Sequence, residues 1–231
     1  METSFSRWAA EVGAVFLKDA RTEFRTRAAV NAILLFALTT LMVVSLSLTT
    51  QGLAVGMRAH LLSALLWIVL FFSGISGLPR VFVKEEDART VMALRLAGRP
   101  AIIFVGKLLF NVALLLGVTV VVVPLYLVLL DPQVRDWARF LAILILGVGG
   151  LAGAATLLSA LVAKTGNRSS LFAGLAFPVL LPLLVCAING SFGAFVGTQP
   201  GEVRSYLVVL AAYLVATVTA SLMLFGYVWD E

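Results

Sequence analysis

Charged residues are scarce in this chain of 231 residues, because Asp, Glu, Lys and Arg together make up only 13% of it. A water-soluble domain usually carries about 25% charged residues and about 45–50% apolar ones. Here 61% of the residues are hydrophobic, and the mean hydropathy is +1.05. No soluble core of this length can hide so much apolar surface, and disordered chains have the opposite composition. The composition excludes both classes and indicates a polytopic membrane protein.

Cysteine and histidine occur once each, as Cys186 and His60. One cysteine cannot form an internal disulfide, and a metal site needs several ligands. We interpret Cys186 as a small buried hydrophobe and His60 as a structural histidine at one end of a span, with a metal or haem ligand as the minor alternative. The stretch nearest to a Walker motif, Gly98 to Leu108, has the wrong glycine spacing and lacks the magnesium-binding hydroxyl. We expect no catalytic, cofactor-binding or metal site in this chain.

Six segments are long and apolar enough to cross a bilayer as helices, which takes about 20 residues. Their apolar runs are continuous rather than alternating, and this favours helices over barrel strands. The predicted spans cover residues 30–49, 61–79, 102–130, 140–163, 171–188 and 206–227. The sequence therefore predicts an all-α polytopic fold, with residues 1–231 forming a single transmembrane domain.

The cations are distributed unevenly among the connections between these spans. Thirteen of the 17 lie before the first span or around the second and fourth connections. The remaining four, in the alternate connections, are Arg58, Arg135, Arg139 and Arg204. By the positive-inside rule, both termini and the second and fourth connections face the cytoplasm. Residues 1–27 show no cleavable signal peptide, so we expect the first span to direct insertion.

The segment before the first span has apolar residues near helical spacing, with charged residues largely between them. The apolar set consists of Phe5, Trp8, Val12, Val15, Phe16 and Phe24. This pattern predicts an amphipathic helix within residues 1–29 that lies in the cytoplasmic interface, with Trp8 at headgroup level. The alternative is a frayed basic tail that only sets the topology.

The most charged stretch of the chain lies between the second and third spans, at residues 80–101. Acidic residues come first, a short apolar set follows, and cations come last, an order that suits the helix dipole. Gly98 and Pro100 then end the helix. Because its apolar stripe needs a partner protein or the membrane surface, we predict a short cytoplasmic helix with contact residues Glu85, Glu86, Asp87, Arg89, Val91, Met92, Leu94, Arg95 and Leu96. A solvated loop helix without a partner is the alternative.

Ionisable side chains are nearly absent from the predicted spans, although proton- and sodium-coupled carriers generally need them at depth. Lys107 lies within about two turns of the cytoplasmic end of the third span, where its side chain could snorkel to the surface. We expect the uncharged polar residues to bond their own helix or a neighbouring one. These residues are Asn111, Thr119, Thr156, Ser159, Thr217, Thr219 and Ser221.

Two small-residue and proline patterns mark the fourth and fifth spans. Gly149 and Gly153 form a small-xxx-small pair, which lets helices approach closely within the chain or between copies. Pro178 and Pro182 free backbone groups that must find partners, so they indicate either a packing kink or the lining of a pathway. The pattern alone leaves each of these choices open.

The ordered set of features resembles the ABC-2 type permeases, and among them the CcmB family, haem exporter proteins of cytochrome c maturation. The residues that carry the resemblance lie at 16–27, 82–107 and 178–184. The resemblance implies a non-enzymatic permease subunit in a bacterial plasma membrane that serves haem delivery or export. The helix within 85–96 would be the coupling helix that docks on a separate, CcmA-like ATPase subunit, which would hold ATP and magnesium.

The same resemblance implies a second permease copy in a homodimer and a CcmC-like membrane subunit that would hold the haem. We interpret the net charge of +5 as cytoplasmic-loop bias and expect no nucleic acid partner. Two other functions remain open: an ABC-2 permease that exports a lipid, a polysaccharide or a drug, and a membrane scaffold with no transport path.

Overall fold

The computed structural model describes residues 4–48, 52–78, 99–162 and 168–230, and these residues form helices joined by short connections. In chain order the helices are α1 (Ser4–Thr26), α2 (Ala28–Leu48), α3 (Val55–Gly77), α4 (Pro100–Leu130), α5 (Trp137–Val162), α6 (Arg168–Val196) and α7 (Pro200–Asp230). The described part of the chain contains no strand. The predicted all-α fold is confirmed.

Six of these helices, α2 to α7, are long and apolar enough to cross a membrane. This confirms the six predicted spans. Several helices are longer than the apolar segments from which they were predicted. Helix α3 begins before Arg58 and His60, and α7 begins before Glu202. The backbone hydrogen-bond ladder that makes a helix does not require apolar side chains, so hydropathy underestimates helix length at the polar ends.

Arg27 separates α1 from α2 with a left-handed backbone (φ 52°). Its amide donates to the carbonyl of Glu23 at 2.6 Å and closes the last turn of α1. A left-handed residue ends a helix because the right-handed ladder cannot continue through it. The N-terminal helix is therefore distinct from the first span, as the sequence predicts.

Helix α5 lies at the centre of the bundle, with its most extensive contacts to α6 and α7 and further contacts to α3 and α4. Most of its residues are buried, and small residues are frequent among them. Small side chains let neighbouring helices approach closely where lipid supplies no hydrophobic driving force between helices. Helix α2 packs on α3 and α4, and α1 packs mainly on α4.

Much of the outer surface of the bundle is apolar. Large hydrophobic side chains remain exposed on several helices, including Leu35, Leu46, Val120, Val128, Val215 and Met223. A soluble monomer rarely exposes continuous apolar surface on this scale. Together with the six long apolar helices, this surface shows a multi-pass membrane protein whose outer face is covered by lipid or by another membrane subunit.

Candidate functional site

The nine predicted contact residues, Glu85, Glu86, Asp87, Arg89, Val91, Met92, Leu94, Arg95 and Leu96, lie outside the described residues. The structure does define the two points between which this segment is held. On one side, the amide of Leu78 donates to the carbonyl of Gly74 at 2.9 Å and ends α3. On the other, Arg99 is extended (ψ 143°) and Pro100 occupies the first turn of α4. Proline suits that position because its missing N–H would have no partner in a first turn.

The first turns of α4 are covered by α1. A side-chain carbon added at Gly106 would lie 2.7 Å from Cβ of Val15 and 3.1 Å from the carbonyl oxygen of Val12. Only glycine allows the two helices to approach this closely. One turn farther along, the rings of Phe16 and Phe110 meet edge to face with centroids 6.4 Å apart. The middle of the apolar face of α1, at Val12, Val15 and Phe16, therefore packs on α4, whereas Trp8 and Phe24 stay exposed.

An ion pair lies within this contact. The ammonium nitrogen of Lys107 on α4 is 3.4 Å from a carboxylate oxygen of Asp19 on α1. The Lys107 side chain is fully buried (0% exposed), and that of Asp19 is 12% exposed. Glu23, one helical turn after Asp19, is also buried. Removing one partner of a buried ion pair typically costs about 3–5 kcal/mol, because the other charge is left uncompensated.

The expectation that Lys107 snorkels to the surface is wrong. Its side chain ends against α1 instead of extending past the helix end to water. The physical reason is that α1 covers this face of α4 and supplies a carboxylate there. A sequence signal for the contact exists, since Asp19 and Glu23 are four residues apart and fall on the same side of α1 as Val12, Val15 and Phe16.

Asn111, one turn beyond Lys107, connects α4 to the central helix. Its amide nitrogen donates to the hydroxyl of Thr156 at 2.8 Å, and this hydroxyl donates to the carbonyl of Ala152 at 2.6 Å. Asn111 and Thr156 are fully buried. The same face of α4 therefore contacts α1 through Lys107 and α5 through Asn111.

Other polar residues of the spans bond their own helices. Thr119 donates to the carbonyl of Leu115 at 2.7 Å, and Ser221 donates to the carbonyl of Thr217 at 2.6 Å. For these residues and for Asn111 and Thr156, the prediction that span polar groups bond their own helix or a neighbour is confirmed.

Gly149 and Gly153 face α7 within the same chain. A side-chain carbon at Gly149 would lie 3.5 Å from a methyl of Leu214, and one at Gly153 would lie 3.7 Å from the methyl of Thr217. Both are ordinary van der Waals distances, so a small side chain fits at either position. The predicted glycine pair is therefore not the closest helix contact of α5.

The tightest approaches to α5 lie at two neighbouring glycines that the sequence pattern did not single out. The indole of Trp67 occupies the space that a side chain at Gly147 would need, and a methyl of Leu183 occupies that space at Gly150. The indole N–H of Trp67 donates to the hydroxyl of Ser191 at 2.9 Å. Trp67 thus connects α3, α5 and α6, and only glycine at 147 admits it.

Pro178 and Pro182 lie within α6, and the helix continues through both. Their side chains are exposed on the outside of the bundle. In the turn between them, the carbonyl of Val179 accepts a hydrogen bond of 2.9 Å from the hydroxyl of Tyr213 on α7. The prolines remove the amide donors that the carbonyls of Gly174 and Pro178 would otherwise have, and side chains of adjacent helices commonly bond the backbone near such positions. This hydrogen bond joins the proline-containing part of α6 to α7, and the choice between a packing kink and a pathway lining stays a prediction.

The ring of His60 packs edge-on against Phe192, with centroids 5.2 Å apart. Within the described ranges, no group of three or more His, Cys, Asp or Glu side chains is placed to hold a metal ion. Cys186 is half-buried on α6. Cys186 packs against the apolar core, whereas His60 is an exposed residue whose ring contacts Phe192.

The comparison with known families decides the identity of this bundle. The family model described as CcmB protein matches residues 10–227, which is nearly the whole chain. The chain belongs to the CcmB family. No curated protein matches it in a sequence search. The family consists of transporter permease subunits that take part in haem export for cytochrome c maturation, and its members are not catalytic enzymes.

Proposed function

We propose that this permease is driven by a separate ATPase subunit, which docks on residues 80–101 and moves α4 through them. The family role supports an ATP-driven complex, and a segment of 20 residues between Leu78 and Arg99 leads directly into α4. In this proposal, the acidic and basic residues of the segment set the register of docking, and Val91, Met92, Leu94 and Leu96 fill an apolar groove of the ATPase.

The observation that carries the proposal is that side chains in the first turns of α4 are bonded to α1 and to α5. Lys107 pairs with Asp19 of α1, and Asn111 bonds Thr156 of α5. When Pro100 is displaced, the first turns of α4 move. They then either carry α1 and α5 with them or slide past these two helices. Packed helices of this kind respond to a push by shifting as rigid elements, which is how a small local movement becomes a change between two states of a transporter.

The length of α4 fits this lever role. Thirty-one residues at about 1.5 Å each give a helix of about 46 Å, whereas the hydrocarbon core is about 30 Å thick. The excess lets the first turns, up to about Lys107, project into the interfacial layer beside the amphipathic α1. Most of the cations lie before the first span or around the second and fourth connections, on the same side as the first turns of α4. This distribution supports a cytoplasmic location for the first turns of α4 and for both termini.

The complete assembly in this proposal contains a second permease copy as a homodimer and a CcmC-like membrane subunit that holds haem, in a bacterial plasma membrane. ATP and magnesium are held by the CcmA-like ATPase. The exposed apolar faces of α2 and α7 offer surface for such membrane partners.

Co-purification tests the docking proposal. The tagged full-length chain is isolated from its native membranes in mild detergent, the accompanying proteins are identified, and the haem absorbance of the eluate is recorded. We expect an ATPase subunit and a haem-containing membrane subunit. An ATPase without haem would favour another exported substrate, and the absence of both under conditions that preserve known complexes would favour a scaffold.

Two substitutions in the connecting segment sharpen this test. We expect Glu86→Lys, which reverses a charge, and Leu94→Asp, which places a charge on the apolar stripe, each to abolish association with the ATPase. Glu202→Lys is the matched control, because Glu202 lies in the first turn of α7 on an exposed surface at the other end of the bundle. Unchanged association of the Glu86 and Leu94 variants, with normal yield and gel-filtration profile, would refute the docking proposal.

A further inference from the structure

A cavity of about 210 Å³ opens at the end of the bundle opposite the start of α4. It lies between the first turns of α3, the connection from α4 to α5, and the end of α6. Leu62 and Phe195, both almost fully buried, form an apolar part of its wall, and Arg58, Asp131, Gln133 and Arg135 supply the polar part. Three separate connections of the chain meet around this space.

The walls of this cavity are held by specific backbone contacts. The amides of Arg135 and Asp136 both donate to the carbonyl of Ala194 at 3.1 Å, which ties the α4–α5 connection to α6. The guanidinium of Arg58 donates to the carbonyl of Leu130 at 3.0 Å, which ties the start of α3 to the end of α4. Gly197, with a positive φ of 78°, packs against the side chain of Arg135. The cavity is therefore a built feature of the fold.

The charge around the cavity is unbalanced in favour of the cations. Arg58 and Arg135 face a single carboxylate, that of Asp131, and within the described residues no ion pair joins it to either arginine. Arg139, in the first turn of α5, behaves differently, since it is paired with Asp136 at 3.1 Å. Arg58 uses one N–H on Leu130, and a guanidinium has five N–H donors. Most of the donors of the two arginines are thus available to a ligand.

The size and lining of the cavity define the ligand class. A volume of about 210 Å³ is smaller than the roughly 300–1,000 Å³ of a pocket that encloses a drug-sized molecule. It admits a head group and a few carbon atoms. Guanidinium groups bind carboxylate and phosphate oxygens in pairs of parallel hydrogen bonds, and an apolar wall beside them favours a ligand with an apolar stem.

We propose that this cavity binds the oxyanion head of a membrane-resident amphiphile, with its phosphate or carboxylate between Arg58 and Arg135 and its stem along the apolar wall formed by Leu62 and Phe195. The phosphate of an anionic phospholipid and the carboxylate of a fatty acid share this chemistry. The cavity lies at the opposite end of α3 and α4 from Leu78 and Arg99, the described residues that flank the proposed docking segment, so the proposal is independent of ATPase docking.

Native mass spectrometry of the purified full-length chain, with the subunits that accompany it, tests this inference. The probes are phosphatidylglycerol, phosphatidylcholine, oleate and inorganic phosphate, each titrated separately. We expect phosphatidylglycerol to be retained in preference to phosphatidylcholine. Displacement of phosphatidylglycerol by oleate would support recognition of the shared oxyanion, and failure of oleate to displace it would support a phospholipid phosphate as the ligand.

Arginine variants assign the binding to the cavity. We expect Arg135→Gln to weaken phosphatidylglycerol binding by about tenfold or more, the size of effect that loss of a charged hydrogen bond produces. Arg58→Gln should do the same, and Arg135→Gln keeps the test decisive if the loss of the Arg58 contact to Leu130 impairs folding. Arg204→Gln is the matched control, because it removes the same charge from an exposed position outside the cavity lining.

Three results would overturn the inference. The first is equal retention of phosphatidylglycerol and phosphatidylcholine by the unmodified protein, and the second is unchanged retention of phosphatidylglycerol in Arg135→Gln. The third is binding of inorganic phosphate as tight as that of phosphatidylglycerol, which would show that the apolar stem contributes nothing. ATPase co-purification of the same samples reports separately on docking, so failure of one proposal is distinguishable from failure of the other.

Discussion

Trp67 and Gly147 are in direct contact, and the indole of the first occupies the position where any side chain on the second would begin. Trp67 is fully buried, and its N–H donates to Ser191. One large and one minimal side chain therefore set the spacing of α3, α5 and α6 at the centre of the bundle. Interiors packed to this density respond strongly to added atoms.

Gly147→Ala should destabilise the protein markedly. The added methyl group meets the Trp67 ring, which hydrogen bonding to Ser191 holds in place, and overpacking of this kind costs about 1–3 kcal/mol. The midpoint of thermal unfolding in detergent, followed by gel filtration of the heated samples, measures the effect. Gly149→Ala is the control, because its methyl group would lie at an ordinary 3.5 Å from Leu214. Equal midpoints for the two variants would contradict the packing described for Trp67.

Trp67→Phe should destabilise the protein by about 0.5–1.5 kcal/mol beyond the loss of ring area, because the buried hydroxyl of Ser191 loses its donor. The matched variant is Trp137→Phe, since Trp137 is 53% exposed at the start of α5. Chemical denaturation followed by circular dichroism compares the two. Combining Trp67→Phe with Ser191→Ala should recover part of the loss, and an additive double variant would argue against the hydrogen bond.

Lys107→Met should loosen α1 from α4. The substitution removes the buried ammonium partner of Asp19 and leaves the exposed Lys18 beside that carboxylate. Breaking a buried ion pair costs about 3–5 kcal/mol where no other charge compensates, and Lys18 reduces this cost. Limited trypsin digestion measures the effect, because Arg21 and Arg25 on α1 become cleavable when the helix separates from the bundle. We expect cleavage at least several times faster than in the unmodified protein.

Lys18→Met is the control for this experiment, because the Lys18 side chain is 43% exposed although it also lies 3.4 Å from Asp19. Surface ion pairs contribute little to stability. Combining Lys107→Met with Asp19→Asn should restore part of the protease resistance, since it removes both charges. If Lys18→Met and Lys107→Met accelerate cleavage equally, the buried pair does not hold α1.

Tyr213→Phe should destabilise the contact between α6 and α7 by about 1 kcal/mol, because the carbonyl of Val179 loses its hydroxyl donor beside two prolines. Hydrogen exchange of the amides around 179–186, measured by mass spectrometry, reports on this segment directly. Tyr206→Phe, near the start of the same helix, removes the same atom elsewhere. Faster exchange in the Tyr213 variant alone is the expected outcome.

The sequence predicted the six spans and a helix before the first of them, and it did not predict that part of α1 packs on α4. The spans were predictable because each carries its own apolar composition, which the structure preserves in α2 to α7. The face of α1 was visible in the spacing of Val12, Val15 and Phe16, but the same pattern is compatible with a lipid surface or a protein surface. Only the position of Gly106 on α4 shows which surface it meets.

The glycine contacts show the same limit. The small residues from Gly147 to Gly153 predict close helix packing, and the small-xxx-small spacing predicts the contact at Gly149 and Gly153. In the structure Trp67 and Leu183 instead approach Gly147 and Gly150. Which glycine makes the tightest contact depends on which large side chain of another helix packs at that level of the bundle. Such a side chain can be 80 residues away in the chain, as Trp67 is from Gly147.

Composition and local order by themselves determined the membrane class, the helical fold and the order of spans, because lipid exposure and backbone hydrogen bonding act on each segment independently. The tertiary structure decided that Lys107 pairs with Asp19 and that Trp67 packs against Gly147. It also placed Arg58 and Arg135 in the lining of one cavity. These relationships join residues from distant segments, and they exist only where packed helices bring those segments within a few ångströms of each other.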